Sequence, residues 1–206
     1  MPESAEELYA RVVAAIGPDG RLPLPDMSDW TQFPWEIVDG ELVAKVLQPP
    51  IESEELRVGE DPDRPCPACS GAHDTLRIWE NERFFVNQPE QVGGMPLILY
   101  LQTKEHLDYP DMDDDLASEY GRLSATLCRI MSNLENIGRV HVCRWGDGSQ
   151  HLHVWFIARP ERFAQIIGSM AVEWDEMLPP PPEDVRRVDA KAVADRLATH
   201  DGRSLL

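Results

Sequence analysis

Gly148-Ser149-Gln150-His151-Leu152-His153-Val154-Trp155-Phe156-Ile157-Ala158-Arg159 is the stretch on which the reading of this chain turns. Leu152, Val154, Trp155, Phe156 and Ile157 give it the composition of a buried strand. Side chains alternate across a strand, so His151, His153 and Trp155 share one face. Leu152, Val154 and Phe156 take the other, which is the better core face. Two of the chain's six histidines thus stand side by side behind a Gly146-Asp147-Gly148-Ser149 loop. A lone histidine on a strand is usually a satisfied polar residue. Two on one face, next to a flexible loop, call for a chemical reading, since imidazole near neutral pH can be nucleophile, acid, base or metal ligand.

The rest of the composition narrows the choices. A chain of 206 residues suits one domain with extensions. The formal net charge of −18 argues against a nucleic-acid backbone as partner, while a local site can still oppose that field for a small anion. No apolar run approaches the ~20 residues of a membrane span. The start, Met1-Pro2-Glu3-Ser4-Ala5-Glu6-Glu7, is acidic and carries no apolar signal segment. The expectation is a cytoplasmic protein without a membrane partner, whose four cysteines are thiols or metal ligands rather than disulfides.

Working outward, Leu8, Val12, Val13 and Ile16 predict a helix over 3–16, ended by Gly17-Pro18. Residues 17–34 read as a surface loop, 35–46 as two strands around Asp39-Gly40, and 48–65 as a polar linker. Strands are expected at 75–79, 83–87 and 96–101. Leu116, Tyr120, Leu123, Leu127, Ile130, Met131 and Leu134 predict a helix over 113–136, with aspartates at its N-terminus where the helix dipole favours them and Gly138 as its end. A strand over 139–145 leads back to the histidines, and the short connection suggests an antiparallel meander. Helices are expected over 161–177 and 183–198. The fold class is α+β: an antiparallel sheet packed with helices, with an N-terminal extension over 1–60, a central domain over 66–160 and a C-terminal helical extension over 161–206.

Cys66-Pro67-Ala68-Cys69 is a metal or redox motif. A thioredoxin-like site would open a helix inside a βαβ unit, and that pattern is absent. Zinc takes about four nitrogen or sulfur ligands, so histidines must complete the set. His106 and His151 flank loops at strand ends and are the natural choices; His73, just after Cys69, is the rival. Cys128 and Cys143 read as small core residues.

Cys-x-x-Cys, two strands, Asn87-Gln88-Pro89, a glycine pair and apolar strand, Lys104-Glu105-His106-Leu107, a helix, a strand and His151-Leu152-His153-Val154 together resemble the histidine-triad superfamily over about residues 66–160. The resemblance implies a protein that hydrolyses or transfers nucleotidyl groups. It assigns a structural zinc to Cys66, Cys69, His106 and His151, the nucleophile to His153, and a place near the ribose to Asn87. The third position of the triad is Trp155, which donates through its indole N–H and accepts no proton. A serine common three residues before the first histidine is replaced by Gly148, with Ser149 and Gln150 following. Backbone N–H groups of the glycine loop can approach phosphate oxygens, and Arg144 can add charge. The expected partner is a small-molecule nucleotide. The resemblance also implies a homodimer built on the long helix's apolar face, unless the C-terminal helices cover that face. The competing function is a zinc-stabilised nucleotide-binding or scaffold protein without turnover.

Overall fold

The computed structural model describes residues 1–24 and 33–206. Part of the loop expected over 17–34 therefore lies outside the described residues. Helix α1 (Ala5–Ala15) opens on a capping box, in which Ser4 and Glu7 each accept the other's backbone N–H. Strands β1 (Trp35–Val38) and β2 (Glu41–Ala44) form a hairpin. Asp39 and Gly40 both have positive φ, 53° and 86°, as a tight primed turn requires. Trp35 pairs with Ala44 and Ile37 with Leu42, so one face of the hairpin is apolar, and Trp35, Ile37, Leu42 and Val46 are exposed.

The main sheet holds β3 (Arg77–Glu80), β4 (Phe84–Asn87), β5 (Leu97–Thr103), β6 (Ile137–Cys143), β7 (His153–Pro160) and the short β8 (Arg203–Ser204). Its order is β6-β7-β5-β4-β3-β8, antiparallel throughout. Strands β3 to β5 form a meander. After the long helix α3 (Asp114–Ser132), the β6–β7 hairpin is laid down with β7 innermost, so the histidine strand lies beside β5 in mid-sheet. The α+β antiparallel class expected from the sequence is the one observed.

The inward faces of the strands follow the expected alternation. Leu97, Leu99 and Leu101 of β5 and Leu152, Val154, Phe156 and Ala158 around β7 join one core with Leu123, Leu127, Ile130 and Met131 of α3. Asp113 caps α3 by accepting the Leu116 N–H at 2.7 Å. Helix α5 (Glu183–Ala198) enters the same core through Ala190, Val193, Ala194 and Leu197. Residue 160 is thus where the motif resemblance ends, not where the packing ends. The apolar stripe of α3 is covered by the sheet and by α5 within the chain, the alternative to a partner's face that the sequence had left open. On the opposite sheet face a second cluster gathers Met95, Ile98, Ile157, Ile166, Ala171 and Leu178, with Val12 of α1 and Trp174 of α4 (Ala171–Met177) against it. No helix among the described residues is long and apolar enough to cross a membrane.

Three sequence expectations shift. Gly138 does not end α3. Asn133 does, donating its N–H to Ile130 and its Nδ2 to the Arg129 carbonyl; Gly138 lies in β6 at a register irregularity, where a Cβ would stand 3.1 Å from the Glu161 Cα. The helix expected over 161–177 is regular only from Ala171. Arg162 has φ 66°, which an α-helix does not accept, and Gly168 lies so close to the His141 ring that a Cβ would be 2.7 Å from Nδ1. The strand expected at 75–79 begins at Arg77, after a 3-10 turn over Asp74–Leu76.

Leu197 is 1% exposed. Leu197→Ala should lower unfolding free energy by about 3 kcal/mol, the cost of a cavity in a shared core. Urea denaturation checks this, since a helix merely resting on the surface would lose well under about 1 kcal/mol.

Candidate functional site

Three segments converge beside the start of β7. Helix α2 (Pro67–Ser70) is a single turn that places Cys66 and Cys69 together. His106 follows the end of β5, and His151 sits in the bend just before β7. Their ligand atoms all lie within 4.8 Å of one another. Cys66 Sγ is 3.4 Å from His151 Nδ1, and Cys69 Sγ is 3.3 Å from His106 Nδ1 and 3.4 Å from His151 Nδ1. Donors around a tetrahedral zinc stand ~3.3–3.8 Å apart. His73 is not in the cluster; its Nε2 faces Glu90 at 3.8 Å.

Hydrogen bonds fix which ring nitrogens are available. His151 Nε2 lies 2.8 Å from the Thr103 carbonyl. A carbonyl only accepts, so Nε2 carries the proton and Nδ1 turns its lone pair to the thiols. His106 Nε2 donates likewise to Gln150 Oε1 at 3.0 Å, leaving its Nδ1 for the cluster. Such outer hydrogen bonds are what orient imidazole ligands. Burial holds His151 below the ordinary imidazole range, keeping it neutral. Burial, with Cys66 adjacent, pushes the Cys69 thiol up to about 11. A thiol that resists ionisation, set with a second thiol and two imidazole nitrogens, suits a dication, which would reverse that cost. The donor set therefore fits a metal.

His153 stands just past the cluster. Its Nδ1 donates to the His151 carbonyl at 2.8 Å, so Nε2 holds the lone pair. His151, His153 and Trp155 line one cavity of about 290 Å³ together with Ser149, Tyr100 and Gln102. The shared face expected from alternation is thus kept, although β7 itself begins only at His153. Trp155 packs edge-on against Tyr100 at 4.6 Å and Trp145 at 5.3 Å, and its Nε1 is buried without an acceptor.

The expected substrate-binding residues divide. Ser149 lines the cavity, its Oγ 3.5 Å from the Val58 carbonyl. Gln150 does not; its side chain is taken by His106. Asn87 is 1% exposed and accepts from Gln102 Nε2 at 3.1 Å. Gln102, opposite His153 in the sheet register, reaches the cavity in its place. Arg144 is directed away, ion-paired to Asp108. Gly148 gives its carbonyl to the Val58 N–H at 3.0 Å, and no neighbour stands where its Cβ would be.

The 48–65 segment, expected to be a linker, is part of the site. Val58 exchanges backbone hydrogen bonds with Gly148 and Gln150. Gly59 has φ 92°, and a Cβ there would be 2.9 Å from His106 Cε1, so it seats that ring. Arg57 donates to Asp108 Oδ2 at 2.8 Å and to the Gly146 carbonyl at 3.0 Å. Asp108 thus ties both loops to the end of the His106 segment. Only the glycine and arginine just ahead of the first cysteine could have pointed to this.

No protein-family model matches the chain, and no curated protein does either. Among solved structures, similar ones include a hypothetical histidine triad nucleotide-binding protein from Sulfolobus tokodaii, 15% identical over 65% of this chain and 93% of that one, with a TM-score of 0.48. A zinc-bound histidine triad family protein from Mycobacterium smegmatis is 14% identical over 61% of this chain and 85% of its own, with a TM-score of 0.41. A histidine triad protein from Marinobacter aquaeolei is 15% identical over 64% and 95%, with a TM-score of 0.45.

Burial opposes the charge on Asp108, but hydrogen bonds from Arg144, Arg57 and the Tyr109 N–H outweigh it and hold the carboxyl below its ordinary range. A depressed folded value means this stability is full above the unfolded pKa of ~4 and is lost as pH falls through the folded value. Asp108→Asn should cost about 2 kcal/mol at pH 7. Denaturation at pH 7 and pH 3 should show the gap between variant and wild type narrowing in acid.

Proposed function

We propose that this chain is a nucleotide-handling protein of the histidine-triad type, with His153 as nucleophile and one structural zinc held by Cys66, Cys69, His106 and His151. The observation that supports it best is the hydrogen bond from His153 Nδ1 to the His151 carbonyl. It fixes the ring so that, in its neutral form, Nε2 holds the lone pair, in a cavity immediately beside a cluster that could hold a metal.

In this reading Nε2 attacks the α-phosphorus of a nucleotide substrate and forms a P–N bond as the bond to the leaving group breaks. The electron pair departs with that group, and the imidazole, now cationic, is steadied by Nδ1–H on the His151 carbonyl. Water or another acceptor then attacks phosphorus, gives up a proton, and the P–Nε2 pair returns to the ring. Zinc, when bound, offsets the thiolate charge and knits α2 to the two histidine segments. With four protein ligands it leaves no open position for water. Trp155 cannot protonate the leaving group, so a group basic enough to take its proton from solvent suits the site best. The central segment 66–160 carries the chemistry in this proposal, and the flanking segments complete its core and walls.

One observation favours the competing reading of a binding protein without turnover. Among the described residues no lysine or arginine lines the cavity beside His153, and Arg144 is committed to Asp108.

Two experiments test the proposal. Elemental analysis of purified protein should find about one zinc per chain; His106→Ala should lose it together with thermal stability, whereas His73→Ala should keep it. His153→Ala should keep zinc and fold but lose turnover of an adenosine phosphoramidate by several orders of magnitude, on the order of 10⁴-fold or more. Acid-quenched wild type should carry an acid-labile, base-stable label from radioactive substrate. Equal turnover by His153→Ala and wild type would remove the nucleophile, and no turnover by wild type would leave the binding protein.

A further inference from the structure

Helix α5 meets the turn between α3 and β6 through a polar contact set in apolar surroundings. Asn136 Nδ2 donates to Asp189 Oδ2 at 2.7 Å. The two residues are 7% and 1% exposed. Leu134 and Ile137 lie either side of Asn136, and Ala190, Val193 and Ala194 follow Asp189, all in the core shared with α3 and the sheet. The remaining oxygen of each side chain, Asn136 Oδ1 and Asp189 Oδ1, is buried without a hydrogen-bond partner. Two orphaned acceptors on directly bonded groups are costly in a low-dielectric interior.

A proton satisfies both at once. An ionised carboxylate only accepts, whereas a carboxylic acid also donates one O–H. A carboxamide and a carboxylic acid joined by N–H···O along one edge close a second bond, O–H···O, along the other. That ring gives each orphaned oxygen a partner. The charged neighbours were weighed by element. Glu3 of the N-terminal segment, 9% exposed and gripped by Arg11 at 2.9 and 2.7 Å, brings a second carboxylate to bear on Asp189, and the chain's amino group acts in the opposite sense. On α5 itself, Lys191 is turned to Asp195 and the Leu206 carbonyl, and Arg186 lines a small cavity at Asp175. Arg129 of α3, Glu135 of the turn and Glu161 beside it are exposed. Burial is the largest influence, and with Glu3 it raises Asp189 above the ordinary carboxylate range, against the Asn136 hydrogen bond and the amino group.

We propose that Asp189 carries a proton in the folded protein at a pH where exposed carboxylates have lost theirs, and that its Oδ1–H donates to Asn136 Oδ1, latching α5 to the α3–β6 turn. Neither residue lines the His153 cavity, so the latch stands whatever the chemistry there. Its pH dependence follows from linkage. A folded value above the unfolded ~4 makes the latch's contribution full below the unfolded value and lost as pH rises through the folded one. Deprotonation breaks the O–H···O bond, releases the proton to solvent and strands a charge in the core. Helix α5, with Val193 and Leu197 on its core face and β8 after it, is the element that then loosens.

The test compares the full chain with Asp189→Asn, whose second carboxamide keeps both bonds and has no proton to lose. Difference infrared spectra at pH 6, where exposed carboxylates are ionised, should show a neutral-carboxyl carbonyl band in wild type. It should be absent from the variant and move when the aspartates are labelled with carbon-13. In urea titrations from pH 5 to pH 9, the folding constant of wild type should fall relative to the variant's by up to about 10-fold per pH unit, then level once Asp189 ionises. Should the variant fail to fold, hydrogen exchange on wild type alone decides: protection factors in α5 should fall with pH relative to those in α3. No neutral-carboxyl band, a wild-type-to-variant ratio that is flat or rises with pH, or α5 and α3 protection that move together overturns the proposal.

Discussion

His151 is the residue on which the site depends, because three of its polar atoms each hold a different part. Its Nε2 is anchored on the Thr103 carbonyl at the end of β5, its Nδ1 faces both thiols, and its own carbonyl accepts from His153. The cluster and the His153 tautomer are therefore set by one backbone position. A small rotation about His151 would carry Nδ1 away from the thiols and release the His153 ring at the same time. In low dielectric such hydrogen bonds are strong when satisfied and costly when broken.

Around that residue the fold works by clamping loops. Asp108 collects Arg57 and Arg144, and Val58 lies along Gly148 to Gln150. The arginines of the first do not line the cavity, whereas Val58 does. Both remove freedom from the glycine loop, whose sequence alone suggests an open phosphate cradle. The price of that order is that Arg144 and Gln150 are engaged in holding the site and not in contacting a ligand.

Much of this was legible in the chain. Alternation at 152–156 placed the core and the histidine face, and the helical stripe from Leu116 to Leu134 placed α3, because both patterns are local and periodic. Cys66-x-x-Cys69 announced a cluster, and His106 and His151 lie in it, as the family resemblance implied. The segment from Arg57 to Gly59 was not legible. It carries no periodicity, and its partners are backbone groups of a loop distant in sequence. Asn87, which the family resemblance placed near a ribose, is buried against Gln102, a contact decided by cross-strand neighbours that no local pattern shows. The helix expected from 161 failed on Arg162 and Gly168, where tertiary contact overrides a fair apolar spacing.

The β1–β2 hairpin has a consequence for how the molecule behaves as a colloid. It shows solvent an apolar face bearing Trp35, Ile37 and Leu42, on a particle whose formal net charge is −18. At low ionic strength the long-range repulsion between such particles keeps those faces apart. At ~1 M salt the screening length shrinks to ~3 Å, shorter than the hairpin's own side chains. Surface attraction then acts without its electrostatic barrier.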